Sequence, residues 1–499
     1  MMETWRNPII LLFLVLYLGM CIGFGLWAMR RTRSTKDFFM AGRSLGPLVL
    51  TCAIFSSTLS GFGFVGGPGL VYSMGMSSAF MVIVSTAGFT MGFFLVSKRI
   101  RLIAELRDNV SLPGIVAARY NSNHARFLTA LAVLLGVMGY LAVQILAMAV
   151  VMQSIINSVG WFGSTSLLFC MAVSSAVLIF YCVTGGIIAS VYTDVIQGLA
   201  MAVAGVLIVF TVYAVFDGNL AGASQVLYED DPAAIGPFGT EGIICALSWY
   251  FVFGLGLSGQ PHIITKMMMT RNLADNRFVL PATILGYALS GLLWIMLGFA
   301  MRALVIQGAH APLGSPDMAA AEFLQFYANP VLAGIVFAAL FAAIMSTADG
   351  FLNVGTAAVI HDIPVAVRGR AVKNELFWAR VVTVLLSVTA AGFALFSYYV
   401  NERLVAILGV FGWSTFAAAI VPVVALGLNW KRATATAACA AIIISLALNL
   451  SLELFAIEIP WGIHGGFIAL LVSMTSFIVI SLLQTPEPLA EDIDAVMDM

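Results

Sequence analysis

Apolar runs of bilayer length recur along the whole chain, separated by short polar or basic segments. A membrane-crossing helix needs about 20 consecutive, mostly apolar residues. Runs of that kind fall at 8–29, 46–72, 78–97, 125–157, 162–182, 187–215, 240–264, 279–305, 326–361, 376–399, 403–427, 433–454 and 462–483. They predict an all-α polytopic membrane protein with about 13 transmembrane helices. The first run is followed by basic residues, and no small-residue cleavage site stands out. It reads as a retained helix, not a signal peptide.

The basic residues orient these helices. With the N-terminus outside, twenty of the 23 Lys and Arg fall in inside loops. They cluster at Arg30–Arg43, Lys98–Arg126, Lys266–Arg277, Arg368–Arg380 and Lys431–Arg432, while Arg6, Arg302 and Arg403 lie outside. One missed helix would invert every later loop, so this asymmetry tests the count and places the C-terminus in the cytoplasm. The expected location is the plasma (inner) membrane, multi-pass. Residues 1–484 read as one membrane domain. Residues 485–499 carry Glu487, Glu491, Asp492, Asp494 and Asp498 and read as a solvated acidic tail.

Composition narrows the function. Apolar residues make up 61% of the 499 positions and charged residues 9%, against roughly a quarter charged in soluble domains. That excludes a soluble enzyme, a nucleic-acid binder and a disordered chain. Cys21, Cys52, Cys170, Cys182, Cys245 and Cys439 are dispersed without metal spacing and read as small apolar packing residues.

Two helices are interrupted in mid-membrane. The second reads Ser56-Ser57-Thr58-Leu59-Ser60-Gly61-Phe62-Gly63 and then Gly66-Gly67-Pro68-Gly69. The seventh runs from Phe253-Gly254 through Gly259-Gln260-Pro261-His262. Breaks inside a bilayer are tolerated only where protein or a wet cavity satisfies the freed backbone groups. The two breaks stand five positions apart in the order of helices, which suggests two five-helix units (about 46–215 and 240–427), the second inverted. Paired broken helices point to the binding site of a secondary transporter. Close packing of small residues is the plainer explanation of either helix alone.

The ninth helix holds Ser346-Thr347-Ala348-Asp349. Ser346, Thr347 and the Ala343 carbonyl one turn earlier can aim three oxygens at one point, and the break in the second helix can add the carbonyls of Ser56 and Leu59. Such hard oxygens suit sodium as a coupling ion. Bonding back to the carbonyl at i−4 is the ordinary use of a helical Ser or Thr. Asp349 needs a partner or water, and a cytoplasmic water cavity is the expectation. Asp194 can counter an intracellular Arg, cap its helix, or form part of an ion path. Asp362 reads as interfacial.

Together these pieces resemble the sodium:solute symporter family over nearly the whole chain. The resemblance is carried by Asp37-Phe38-Phe39-Met40-Ala41-Gly42-Arg43, the Ser60–Gly69 stretch, Tyr181-Cys182-Val183-Thr184-Gly185-Gly186 with Thr193-Asp194 and Gln197, Gly259-Gln260-Pro261-His262, and Ser346-Thr347-Ala348-Asp349. It implies the leucine-transporter type of fold, with inverted five-helix repeats, and sodium at Ser56, Leu59, Ala343, Ser346 and Thr347. It also implies a solute cavity lined by Thr58, Ser60, Phe62, Tyr140, Gln144, Phe253 and Leu257. The family's proline branch has an aspartate in place of Thr58 and a tryptophan in place of Phe62. The sialic-acid branch has an arginine near Tyr140, whose absence here leaves no intramembrane cation in the central helices to pair a carboxylate. A carboxylate can still be held by N–H groups freed at the breaks.

The expected function is therefore sodium-coupled import of a small organic acid or amino acid by alternating access. A facilitative or proton-coupled carrier of the same fold is the alternative. A channel needs a continuous polar path, and a sensor needs an appended signalling domain. An enzyme needs clustered titratable groups, whereas His124, His262, His310, His361 and His464 are scattered.

Overall fold

The computed structural model describes residues 2–61, 63, 66–161, 163–400, 403–455, 457 and 459–499. The helices that build the site are numbered here in chain order. They are α1 (Met2–Met29), α2 (Pro47–Ser56), α3 (Gly67–Met74), α4 (Met76–Leu106), α5 (Asn123–Val159), α6 (Leu167–Val215) and α7 (Gly242–Gly259). Then follow α8 (Pro261–Met267), α9 (Asn276–Ile306), α10 (Pro330–Arg368), α11 (Glu375–Val400), α12 (Arg403–Ile420), α13 (Ala435–Leu454), α14 (Gly465–Leu483) and α15 (Glu491–Met497). One bridge, Leu45 to Thr270, is the β pairing among the described residues.

Ten helices among the described residues are long and apolar enough to cross a membrane. The remaining apolar runs are not separate, unbroken helices. α6 is a single helical run of 49 residues, about 74 Å at 1.5 Å per residue and more than twice a hydrocarbon core of about 30 Å. It turns at Gly186, whose φ of 53° and ψ of −143° are non-helical. A Cβ there would stand 2.6 Å from Phe38 Cδ2 and 2.7 Å from Phe38 O. Only glycine fits both that backbone and that neighbour. The turn falls between the two apolar runs 162–182 and 187–215. The broken pair α2/α3 and the apolar stretch of α12 supply the other segments, each shorter than an unbroken span.

Both interruptions are present. α2 ends at Ser56, and α3 begins at Gly67 with Pro68 in its first turn. A helix end leaves four carbonyls without partners. Here Ser57 Oγ donates to Ala53 O at 2.7 Å and Thr58 Oγ1 to Ile54 O at 2.8 Å. α7 loosens into a wide turn at Tyr250–Gly254, tightens over Leu255–Gly259, and breaks at the extended Gln260. Pro261, lacking an N–H, then starts α8.

α10 lies at the centre, with the largest buried share of any span, while α1, α11, α13 and α14 face outward. The acidic tail is a correction to the solvated end expected from its sequence. It forms α15, which buries Ile493, Val496 and Met497. Arg107 holds Asp492 through two 2.6 Å bonds. Lys431 reaches Asp494 at 2.7 Å and Asp498 at 2.6 Å. The acids spaced along α15 meet basic loops, and its apolar face then has protein to cover it.

Candidate functional site

The break after α2 brings its carbonyls against α10. Thr347 Oγ1 stands 3.1 Å from each of three carbonyl oxygens, those of Ser57, Leu59 and Ala343. A hydroxyl carries one proton, so it can donate to only one of them. Four oxygens thus converge with a single hydrogen among them, fully buried at Leu59, Ala343 and Thr347. Unwound carbonyls and hydroxyls of this kind are how transporters of discontinuous helices hold alkali cations. Ser346 is also fully buried, and its hydroxyl lies 3.5 Å from Ala343 O, at the limit of hydrogen-bond reach.

Ser56 sits differently. The α2 carbonyl beside Thr347 is that of Ser57. The Ser56 hydroxyl instead lies by the Asp194 carboxylate, without a hydrogen bond of good geometry. His262 Nε2 is 3.1 Å from the same Ser57 carbonyl, so α8 and α10 share that oxygen.

One residue further along the break, a second cluster forms. Ser60 Oγ and Tyr140 OH are 2.8 Å apart. Gly61 N–H donates to Gln144 Oε1 at 2.7 Å. The other end of that amide, Gln144 Nε2, is buried with no hydrogen-bond partner among the described residues. Thr58 gives its hydroxyl to Ile54 O. Leu257 is buried and Phe253 half-buried on the α7 side. Phe62 lies outside the described residues.

Sequence reasoning missed the aromatic wall of this region. The Tyr140 ring is 4.9 Å from Phe351 and 6.4 Å from Trp413, and Trp413 is 5.7 Å from Phe253. Trp413 is fixed by its Nε1–H to Val252 O at 3.0 Å. An aromatic residue in an apolar helix carries no mark that separates a site wall from packing. With Tyr140 and Gln144 buried, the region is closed to solvent in this conformation.

The acids in the interior correct three expectations. Asp349 is buried and held by protein groups. Tyr181 OH donates to one of its oxygens at 2.7 Å and Ser190 Oγ to the other at 2.6 Å. Asp194 neither caps a helix nor meets an arginine. It pairs with Lys266 at 2.8 Å, and both are fully buried. Lys266 follows the seventh apolar run and so reads as a loop residue, but the break at Gln260 sets α8 inside the protein. The central helices therefore do contain a cation, already paired. Asp362 is buried too, bonded by Ser111 Oγ at 2.6 Å and Arg126 Nε at 3.1 Å. Lone charges at such depth are costly, and pairing is the usual remedy.

Comparison with known proteins gives the family and the fold. Residues 38–445 match the family model described as the sodium:solute symporter family. The chain is 31% identical over 449 residues to the sodium/proline symporter of Escherichia coli, covering 86% of this chain and 84% of that one. It is 28% identical over 494 residues to the sodium/pantothenate symporter of the same organism, covering 96% and 98%. Among solved structures, a Na+-coupled sialic acid symporter superposes with a TM-score of 0.82 at 18% identity, over 97% of this chain and 99% of that one. Mhp1, a nucleobase-cation-symport-1 family transporter, gives 0.59 at 15% identity. These two likenesses are of fold.

Proposed function

Since the chain belongs to the sodium:solute symporter family, and so is a multi-pass membrane protein that carries a small solute with sodium, we propose a site for each. Sodium is held by the carbonyls of Leu59, Ala343 and Ser57 with the hydroxyls of Thr347 and Ser346, and Ser56 stands at the cytoplasmic edge of that cluster. The carrying observation is the single Thr347 hydroxyl set among three carbonyl oxygens from two helices. Asp194 lies on the ion's inward path.

The solute is a carboxylate, an organic acid or an amino acid. Proline, pantothenate and sialic acid, named for the relatives, are all carboxylic acids. Gln144 Nε2 is a buried donor without an acceptor among the described residues, and we assign Thr58, Ser60, Tyr140, Phe253, Leu257 and Trp413 to the same solute site, with Phe62 added from the sequence reading alone. Leu59 immediately precedes Ser60 and Gly61. Sodium that orders the Leu59 carbonyl therefore orders the Ser60 hydroxyl and the Gly61 N–H, which raises solute affinity. By reciprocity, solute raises sodium affinity.

The two units, about 46–215 and 240–427, form inverted repeats. The cycle is alternating access, with the bundle that carries the broken helices rocking against a scaffold centred on α10. The N-terminus lies outside and the C-terminus in the cytoplasm of the plasma (inner) membrane.

Uptake into proteoliposomes tests this reading. Labelled proline, pantothenate and short monocarboxylates are offered under a sodium or a potassium gradient. The expected result is saturable uptake of a carboxylate that requires sodium. Equal uptake in potassium would remove the coupling mechanism.

A further inference from the structure

α8 lies along α2 in matched spacing. His262 and Lys266 are four residues apart on α8. They reach the carbonyls of Ser57, just past the end of α2, and Ala53, four residues earlier, at 3.1 and 3.0 Å. Lys266 Nζ also donates to Asp194 Oδ2 on α6 at 2.8 Å. One ammonium thus joins the second broken helix to the first and both to α6. Its place beside the C-terminal carbonyls of α2, the negative end of that helix, suits a cation.

Charge balance takes this beyond a structural ion pair. Among the described residues, the ionisable groups that interact with Lys266 are Asp194 on α6, Asp349 on α10 and His262 on α8, and Cys52 on α2 lies near Asp194. Asp349 is hydrogen-bonded by hydroxyls and forms no ion pair among the described residues. With both carboxyls ionised, two negative charges face one ammonium in a region closed to water. Uncompensated charge at such depth is strongly unfavourable. One sodium beside Thr347, two residues before Asp349 on α10, brings the region to neutrality. A second sodium would leave it positive.

We propose that Lys266 is a tethered cation occupying the place of a second coupling ion, so that the chain binds one sodium per cycle. This rests on the sodium site assigned above. The oxygens around the ammonium are those a metal ion would use. They are the Asp194 carboxylate, whose Oδ1 has no hydrogen-bond partner among the described residues, and the Ala53 carbonyl, and the Ser56 hydroxyl lies beside that carboxylate. Removing the ammonium leaves a buried carboxylate with hard oxygens beside it, and sodium is the ion at hand to fill the gap.

Radiolabelled sodium binding to the purified full-length protein reads this without knowledge of the solute. Wild type should saturate at about one site per chain with a Hill coefficient near one. Lys266→Gln should bind about two, with a Hill coefficient above one. Lys266→Arg, which keeps the charge, should return to one, and so should Asp194→Asn combined with Lys266→Gln, which removes both charges. A purely structural lysine would change folded yield in Lys266→Gln without adding a site, and one site in that variant overturns the proposal. If Lys266→Gln does not fold, the double variant decides. Folding with one site supports the charge argument, and failure like the single variant overturns it. Thr347→Ala separates the two readings. If it leaves sodium binding unchanged, the sodium site is wrong. If it weakens binding while Lys266→Gln still binds one sodium, only the tethered cation is wrong.

Discussion

Replacing Thr347 with Ala removes the one oxygen that touches all three carbonyls of the proposed sodium site. An interaction between a charge and a buried polar group contributes about 1.5–3 kcal/mol. At about 1.4 kcal/mol per tenfold, half-saturating sodium should rise about 10- to 150-fold. The cost to the apo fold should be smaller. Ser57 O keeps His262 Nε2 as a partner, and Ala343 O still has the Ser346 hydroxyl within reach. Leu59 O alone loses its side-chain donor. Thr347→Ser keeps the oxygen and should stay within about threefold of wild type in sodium affinity. The assay is sodium activation of uptake in proteoliposomes, with thermal unfolding in detergent as a second measure. A ligand that binds only the folded state raises the melting temperature, so sodium should stabilise wild type and Thr347→Ser but not Thr347→Ala. Sodium activation and sodium-induced stabilisation unchanged in Thr347→Ala would refute the ligand assignment.

Three further outcomes follow from the geometry. Tyr140→Phe deletes the hydroxyl that meets Ser60 at 2.8 Å; at about 1 kcal/mol for the lost bond, half-saturating solute should rise roughly fivefold with sodium activation at saturating solute unchanged, and an unaltered solute curve would remove Tyr140 from the site. Gly186→Ala forces a Cβ to 2.6 Å from the Phe38 ring on a backbone that costs about 1–3 kcal/mol for a non-glycine residue, so its melting temperature and membrane yield should both fall; equal values would mean the turn in α6 is not strained. The hydrogen bonds from Arg107 hold the Asp492 carboxyl below its ordinary value of 3.8. A carboxyl lowered on docking favours the docked tail fully above that value and loses the effect as pH falls below it. Protection of the Ile493–Met497 amides, taken against the intrinsic exchange rate at each pH, should therefore be high at neutral pH and fall in acid. Arg107→Glu should lower it at neutral pH, and unchanged protection in that variant would show that apolar burial alone docks α15.

What could be read from the chain follows from which residues have few other uses in a bilayer. Gly, Pro and Ser at 56–69 and 254–261 are poor membrane-helix material unless the helix stops there, so both breaks were visible. Which carbonyl faces Thr347 was not. That depends on how the last turn of α2 unwinds, and the Ser57 hydroxyl takes part in it by bonding back to Ala53 O. The docking of α15 was hidden for a related reason. Asp492 and Arg107 are 385 positions apart, and each looks like an ordinary solvated charge. Lys266 and Asp194 carry the point furthest. Read singly, the aspartate asks for water or an ion path and the lysine for a loop, and hydropathy agrees with both because it measures position along the chain and not depth in the fold. Joined across 72 positions, each removes the reason for the other's exposure. A core with few charges is then one whose charges are counted against each other, and an ion that enters it has to fit the sum.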